Sequence, residues 1–155
     1  MPYSCLILDD EQLAVTLVEH YVAKIPALSL AASFTDATKA LDFLGSNEVD
    51  LIFIDIQMPK LTGLEMLQGM ENRPLTIITT AYPDYALQGF ELAVTDYLLK
   101  PFSFERFNEA AQKAIGALQQ RDQLETLKEA VPVPSETLQD YMVVKADHKL
   151  YKVFF

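Results

Sequence analysis

Short apolar runs recur along the chain, each followed by a polar break and then by apolar positions at helical spacing. Cys5-Leu6-Ile7-Leu8 ends in Asp9-Asp10-Glu11 and predicts a buried strand. Leu13, Leu17 and Tyr21 follow at helical spacing beside Ala14 and Val18, and Pro26 ends that helix. Leu28 to Phe34 predicts a second strand, mixed in pattern. Thr35 or Asp36 can cap a helix through Ala40, Leu41 and Leu44, closed by Gly45. Leu51-Ile52-Phe53-Ile54 is a third strand ending at Asp55, and Met58-Pro59 breaks the chain before a short helix around Leu64 and Leu67. Leu75 to Ile78 is a fourth strand ending at Thr79-Thr80. Pro83 opens a fourth helix through Ala86, Leu87 and Phe90. Val94 to Leu99 is a fifth strand, closed by Lys100-Pro101. Ser103 caps a long fifth helix with Phe104, Phe107, Ala111, Ala114 and Leu118 on one face.

Five strand–helix alternations predict an α/β fold. Each strand is short and apolar, as a strand covered on both faces must be. A five-stranded parallel sheet, doubly wound by helices, satisfies both observations. In such sheets a ligand binds at the carboxyl ends of the strands. Those ends carry Asp9 and Asp10, Asp55, Thr80 and Lys100.

Any one Asp at a strand end reads equally well as a turn residue or helix cap. Together they are a chemical set. Three neighbouring carboxylates repel one another, and a hard divalent cation such as Mg2+, which takes oxygen ligands, resolves this. A carboxylate beside magnesium can attack a phosphoryl group and form an acyl phosphate. Lys100 supplies an ammonium and Thr80 a hydroxyl for the oxygens of the transferred group.

Half of the 155 residues are apolar, enough for a sizeable core, and no apolar run approaches the length of a membrane span. The start, Met1-Pro2-Tyr3-Ser4, has no basic region ahead of an apolar stretch. Cys5 lies alone in the first strand and reads as a buried residue rather than a reactive thiol. A cytoplasmic protein fits these features. The net charge of −10 argues against a nucleic-acid-binding surface. Residues 139–155 differ in character: they carry three Lys and two Asp, against nine Lys/Arg and 20 Asp/Glu in residues 1–138.

Three segments, Leu6-Ile7-Leu8-Asp9-Asp10-Glu11, Asp50 to Pro59 and Asp96-Tyr97-Leu98-Leu99-Lys100-Pro101-Phe102, make the chain resemble the receiver domain of response regulators, with its flavodoxin-like fold. The resemblance implies Asp55 as phosphoacceptor. It implies Mg2+ bound directly by Asp10, Asp55 and the backbone carbonyl of Gln57, with Asp9 acting mainly through a metal-bound water. Lys100 would pair with the phosphate, and the Lys100–Pro101 bond would be cis. Thr80 would move towards the phosphoryl group and Tyr97 would rotate inward, biasing the face made by helix four, strand five and helix five. Gln57 and Tyr82 would flank the phosphoryl group, with Tyr82 shielding it from water. The partner implied is a sensor histidine kinase, and a homodimer through the same face is expected. Such a domain is a switch that catalyses only its own phosphorylation and dephosphorylation, not an enzyme acting on a separate substrate.

Ile77 to Leu87, with Phe90 and Asp96 to Phe102, resembles the LytTR (LytR/AlgR) subgroup. Helix five runs on through Leu124 and Leu127, with Glu109 and Lys113 at supporting spacing. Those leucines, with Leu118, suit a coiled contact or packing against the chain's own tail. Val131-Pro132-Val133-Pro134-Ser135 reads as a linker. Tyr141 to Lys145 and Lys149 to Val153 then flank Ala146-Asp147-His148 as a β-hairpin, which resembles the first strands of a LytTR DNA-binding domain. His148 reads as a turn residue. The organisation expected is a receiver domain over 1–120, helix extension and linker over 121–138, and a truncated effector over 139–155, so that DNA is bound only through a full-length effector. Two rivals differ in kind. A haloacid-dehalogenase-type phosphatase would carry an Asp where Gln57 stands. A phosphorylation-independent docking module would share the fold and fail to label at Asp55.

Overall fold

A computed structural model describes residues 2–58, 63–70, 72–83 and 93–130. The strands are β1 (Tyr3–Leu8), β2 (Leu28–Phe34), β3 (Leu51–Asp55), β4 (Leu75–Thr80) and β5 (Asp96–Leu99). The helices between them are α1 (Gln12–Ala23), α2 (Ala37–Ser46) and α3 (Gly63–Gln68), and a C-terminal helix spans Phe104–Ala130. All strands are parallel, in the order β2-β1-β3-β4-β5. This is the flavodoxin-like order, whose direction reverses between β1 and β3 and leaves a crevice beyond their carboxyl ends. The helix expected at Ala86, Leu87 and Phe90, Pro59, the Val131–Ser135 linker and the terminal hairpin with His148 lie outside the described residues. A compact unit ends at Leu118, and the rest of the C-terminal helix belongs to a second unit starting at Gln119.

Side chains alternate across a strand, so each central strand feeds two cores. Cys5, Ile7, Leu51, Phe53 and Ile77 face a cluster with α1 and the C-terminal helix. Leu6, Leu8, Ile52, Ile54 and Ile78 face another with α2 and α3. Phe53 stacks on Phe107 with ring centroids 5.0 Å apart. Truncating a buried phenylalanine of this kind costs about 3–5 kcal/mol. Cys5 is fully buried, and burial pushes its thiol up to about 12.

Local signals account for two helix starts. Asp36 caps α2 by accepting from the Thr38 N–H at 2.8 Å, and Ser103 caps the C-terminal helix by accepting from the Arg106 N–H at 3.1 Å. Four sequence expectations need correction. The buried stripe of α1 is Val15, Val18 and Val22; Leu13 is 85 % exposed, and Leu17 is also exposed. Gly45 does not close α2, which continues to Ser46 before Asn47 turns extended. β5 starts at Asp96, because Ala93 takes a left-handed φ of 59° and turns the chain into the strand. Glu109 meets Arg106 at 3.7 Å while Lys113 reaches Asp96 at 3.2 Å, in place of the helical Glu109–Lys113 pair.

Candidate functional site

The carboxyl ends of the strands bring the predicted chemistry together. Asp9 and Asp10 follow β1, Asp55 ends β3, Thr80 ends β4 and Lys100 follows β5. Carboxylate oxygens of Asp9, Asp10 and Asp55 lie within 4.8 Å of one another. The Lys100 ammonium donates to Asp9 Oδ2 at 2.7 Å and stands 3.6 Å from Asp55 Oδ2. Asp9 Oδ1 accepts from the Glu11 N–H at 2.9 Å, so both Asp9 oxygens have protein partners. Asp55 Oδ1 accepts from the Gln57 N–H at 3.2 Å. Asp9 and Asp55 are buried and Asp10 is exposed.

A cleft of about 540 Å³ opens over this cluster, with Asp10, Asp55, Gln57, Tyr82 and Lys100 in its wall. Thr80 and Tyr97 do not line it. Thr80 is fully buried, and its hydroxyl accepts from the Tyr82 N–H at 3.0 Å, so it is engaged by its own turn. Tyr97 is half-buried and packs beside the α2–α3 cluster. The Lys100 N–H donates to the Thr80 carbonyl at 2.6 Å, which ties the lysine and the threonine together through the backbone. The Lys100–Pro101 peptide bond is cis.

The charges are not balanced. Burial is the main cause that pushes the Asp55 carboxyl up to about 7; the Asp9 charge adds to it, while Lys100 and the Gln57 N–H oppose it. Burial also works against the Lys100 ammonium, but the Asp9 hydrogen bond and the charges of Asp55, Asp9 and Glu11 outweigh it and hold Lys100 above its ordinary value. Three carboxylates therefore share one ammonium. A hard divalent cation fits the donor set: every candidate ligand atom is oxygen, and Asp10 faces the cleft by which an ion would enter.

Sequence reasoning missed three participants. Glu11 approaches Lys100 at 3.8 Å, and its adjacency to Asp10 was the available signal. Gly63 lies against the backbone of Asp55, where an added Cβ would stand 2.4 Å from the Asp55 carbonyl oxygen. Asp96 accepts from both terminal nitrogens of the Arg106 guanidinium at 3.1 Å and meets Lys113 at 3.2 Å, while Arg106 also donates to the Tyr97 carbonyl. No sequence signal announces the last two, since both depend on tertiary approach.

The profile of the response regulator receiver domain matches residues 5–112. The chain belongs to that family. A receiver domain is a signalling switch of two-component systems rather than a conventional enzyme. The response regulatory domain of MrkE from Klebsiella pneumoniae has a solved structure that matches this receiver domain with a TM-score of 0.71 and 32 % identity, covering 76 % of this chain and 98 % of that one. The curated MrkE protein is 30 % identical over 94 % of this chain and 57 % of its own length. The sensory transduction protein LytT of Bacillus anthracis is 35 % identical over 70 % of this chain and 45 % of its own. The response regulator TrrA of Thermotoga maritima, solved in complex with Mg2+-BeF, matches with a TM-score of 0.64 and 26 % identity, covering 74 % of this chain and 99 % of that one. The receiver chain thus spans about half the length of these curated relatives. Among the described residues no helix is long and apolar enough to cross a membrane.

Proposed function

We propose that this receiver domain accepts a phosphoryl group on Asp55 from the phosphohistidine of a sensor histidine kinase. The observation that carries the reading is the under-compensated carboxylate cluster of Asp9, Asp10 and Asp55, with Lys100 across it, at the mouth of an open cleft. An Asp55 carboxylate oxygen forms the new bond to phosphorus as the phosphorus–nitrogen bond breaks, and the electron pair returns to the imidazole. Lys100, 3.6 Å from Asp55 in the resting arrangement, is placed to hold the phosphoryl oxygens. Asp10, Asp55 and the Gln57 carbonyl would hold Mg2+, and Asp9, committed to Lys100 and the Glu11 N–H, would act through a water. Bound magnesium would neutralise charge on the transferred group.

Thr80 then turns its hydroxyl proton from the Tyr82 carbonyl, 3.5 Å away, to a phosphoryl oxygen, and half-buried Tyr97 moves into the space behind it. Tyr82, exposed on the cleft wall, shields the acyl phosphate; Tyr82→Ala would then lose the phosphoryl group faster. The similarity to LytT, with the motifs around Thr80 and Lys100, supports a LytTR-type regulator. A cytoplasmic homodimer acting on DNA through a full-length effector domain completes the proposal.

The test is intact-mass analysis after incubation with Mg2+ and acetyl phosphate. Wild type gains one phosphoryl adduct, and Asp55→Ala or metal removal abolishes it. A folded wild type that gains none would instead be a phosphorylation-independent docking module.

A further inference from the structure

Tyr21, near the end of α1, sits at the centre of an aromatic group. Its ring centroid lies 5.2 Å from that of Phe107, 5.4 Å from Phe104 and 6.2 Å from Phe102. The Lys24 ammonium covers the outer side, 5.9 Å from the Tyr21 ring and 5.0 Å from the Phe104 ring. Packing explains an aromatic ring at this position. It does not explain the hydroxyl, since phenylalanine would fill the same space. That hydroxyl donates to the Phe102 carbonyl at 3.3 Å.

Phe102 lies two residues beyond Lys100, on the short segment between β5 and the C-terminal helix. Lys100 itself is fixed behind by its N–H on the Thr80 carbonyl and at its head by Asp9. The Tyr21 bond fixes the segment in front. α1 also begins at Gln12, directly after the Asp9-Asp10-Glu11 turn. One helix therefore anchors the carboxylates at its start and the lysine-bearing segment near its end.

We infer that Tyr21 is a positioning residue for Lys100: through the Phe102 carbonyl, its hydroxyl sets where the ammonium stands relative to Asp9 and Asp55. The inference rests on the assignment of Lys100 as the phosphoryl-holding group. Lys100 is carried on four rotatable bonds, and a backbone free to shift would spread its ammonium over several positions.

Tyr21→Phe keeps the ring and removes only the donor. Two measurements on the full chain test it. The first is the 1H–15N signal of the Lys100 ammonium in metal-free protein, assigned by its loss in Lys100→Ala. The signal shifts or broadens in Tyr21→Phe, while the thermal midpoint and the remaining core resonances stay close to wild type. The second is the phosphorylation rate at saturating acetyl phosphate with Mg2+. It falls roughly three- to tenfold in Tyr21→Phe, the effect of one hydrogen bond. In a Lys100→Ala background the same change has no further effect. An unaltered Lys100 signal, or an equal loss in both backgrounds, overturns the inference and leaves Tyr21 as packing. A wild type that takes up no phosphoryl group sinks the phosphoacceptor reading instead, while the ammonium signal still decides the role of Tyr21.

Discussion

Two aspartates of this receiver domain are buried at opposite ends of strands and meet opposite electrostatics. Asp55, at the carboxyl end of β3, is 4 % exposed, and burial with the Asp9 charge raises its carboxyl to about 7. Asp96, at the start of β5, is 9 % exposed. Burial alone would raise Asp96 too, but hydrogen bonds from Arg106, the Tyr97 N–H and Lys113 overcome it and hold the carboxyl below its ordinary value. One carboxylate meets two cations; the other shares one ammonium with Asp9 and Glu11. A surplus of cation makes a carboxylate a structural tie. A deficit leaves it in want of a ligand, and that marks a site.

Removing the deficient charge has the largest expected effect. Asp55→Asn should abolish the proposed Mg2+-dependent phosphoryl adduct, with intact mass as the readout. In metal-free protein near pH 8 the same change stabilises the fold by about 3 kcal/mol in urea titrations, because an ionised Asp55 is disfavoured there. An unchanged midpoint would remove the contrast between the two aspartates.

The pH dependences should diverge next. The folded pKa of Asp55 lies above its unfolded value, so its contribution to stability is fully present below about 4 and lost as pH rises through about 7. Metal requires the ionised carboxylate, so Mg2+ affinity by calorimetry should fall up to about tenfold per pH unit below that value. Asp96 has the opposite sign. Its contribution is present above its unfolded pKa and disappears as pH falls through a folded pKa below the ordinary value. Asp96→Asn should cost about 1–2 kcal/mol in urea titrations at neutral pH, because it removes the charged acceptor that Arg106 and Lys113 share, and should flatten the acid limb.

The smallest effect belongs to the entry into β5. Ala93 holds a φ of 59°, which a side chain disfavours. Ala93→Gly should stabilise by about 0.5–1 kcal/mol with no change in Mg2+ affinity.

The deficient site was legible in the sequence and the satisfied one was not. Asp9, Asp10, Asp55, Thr80 and Lys100 each follow a short apolar run, so strand periodicity alone places them at one edge of a parallel sheet. Asp96 heads its strand, and its partners Arg106 and Lys113 lie on a helix whose buried face is legible in the sequence but whose placement beside β5 depends on tertiary packing. The same limit explains α1, where two apolar stripes compete: burial chose Val15, Val18 and Val22 over Leu13 and Leu17. Gly63 escaped notice because its need for no side chain arises only when it meets the Asp55 carbonyl.

β3 lies in the middle of the sheet with a ladder on each side, whereas among the described residues β5 pairs with β4 alone. Amide protons of Ile52 to Ile54 should therefore exchange with solvent only through complete unfolding, and those of Tyr97 and Leu98 through local opening as well. The aspartate proposed to store the message stands at the end of the central strand. The tyrosine proposed to broadcast it stands at the rim, where breathing is cheapest.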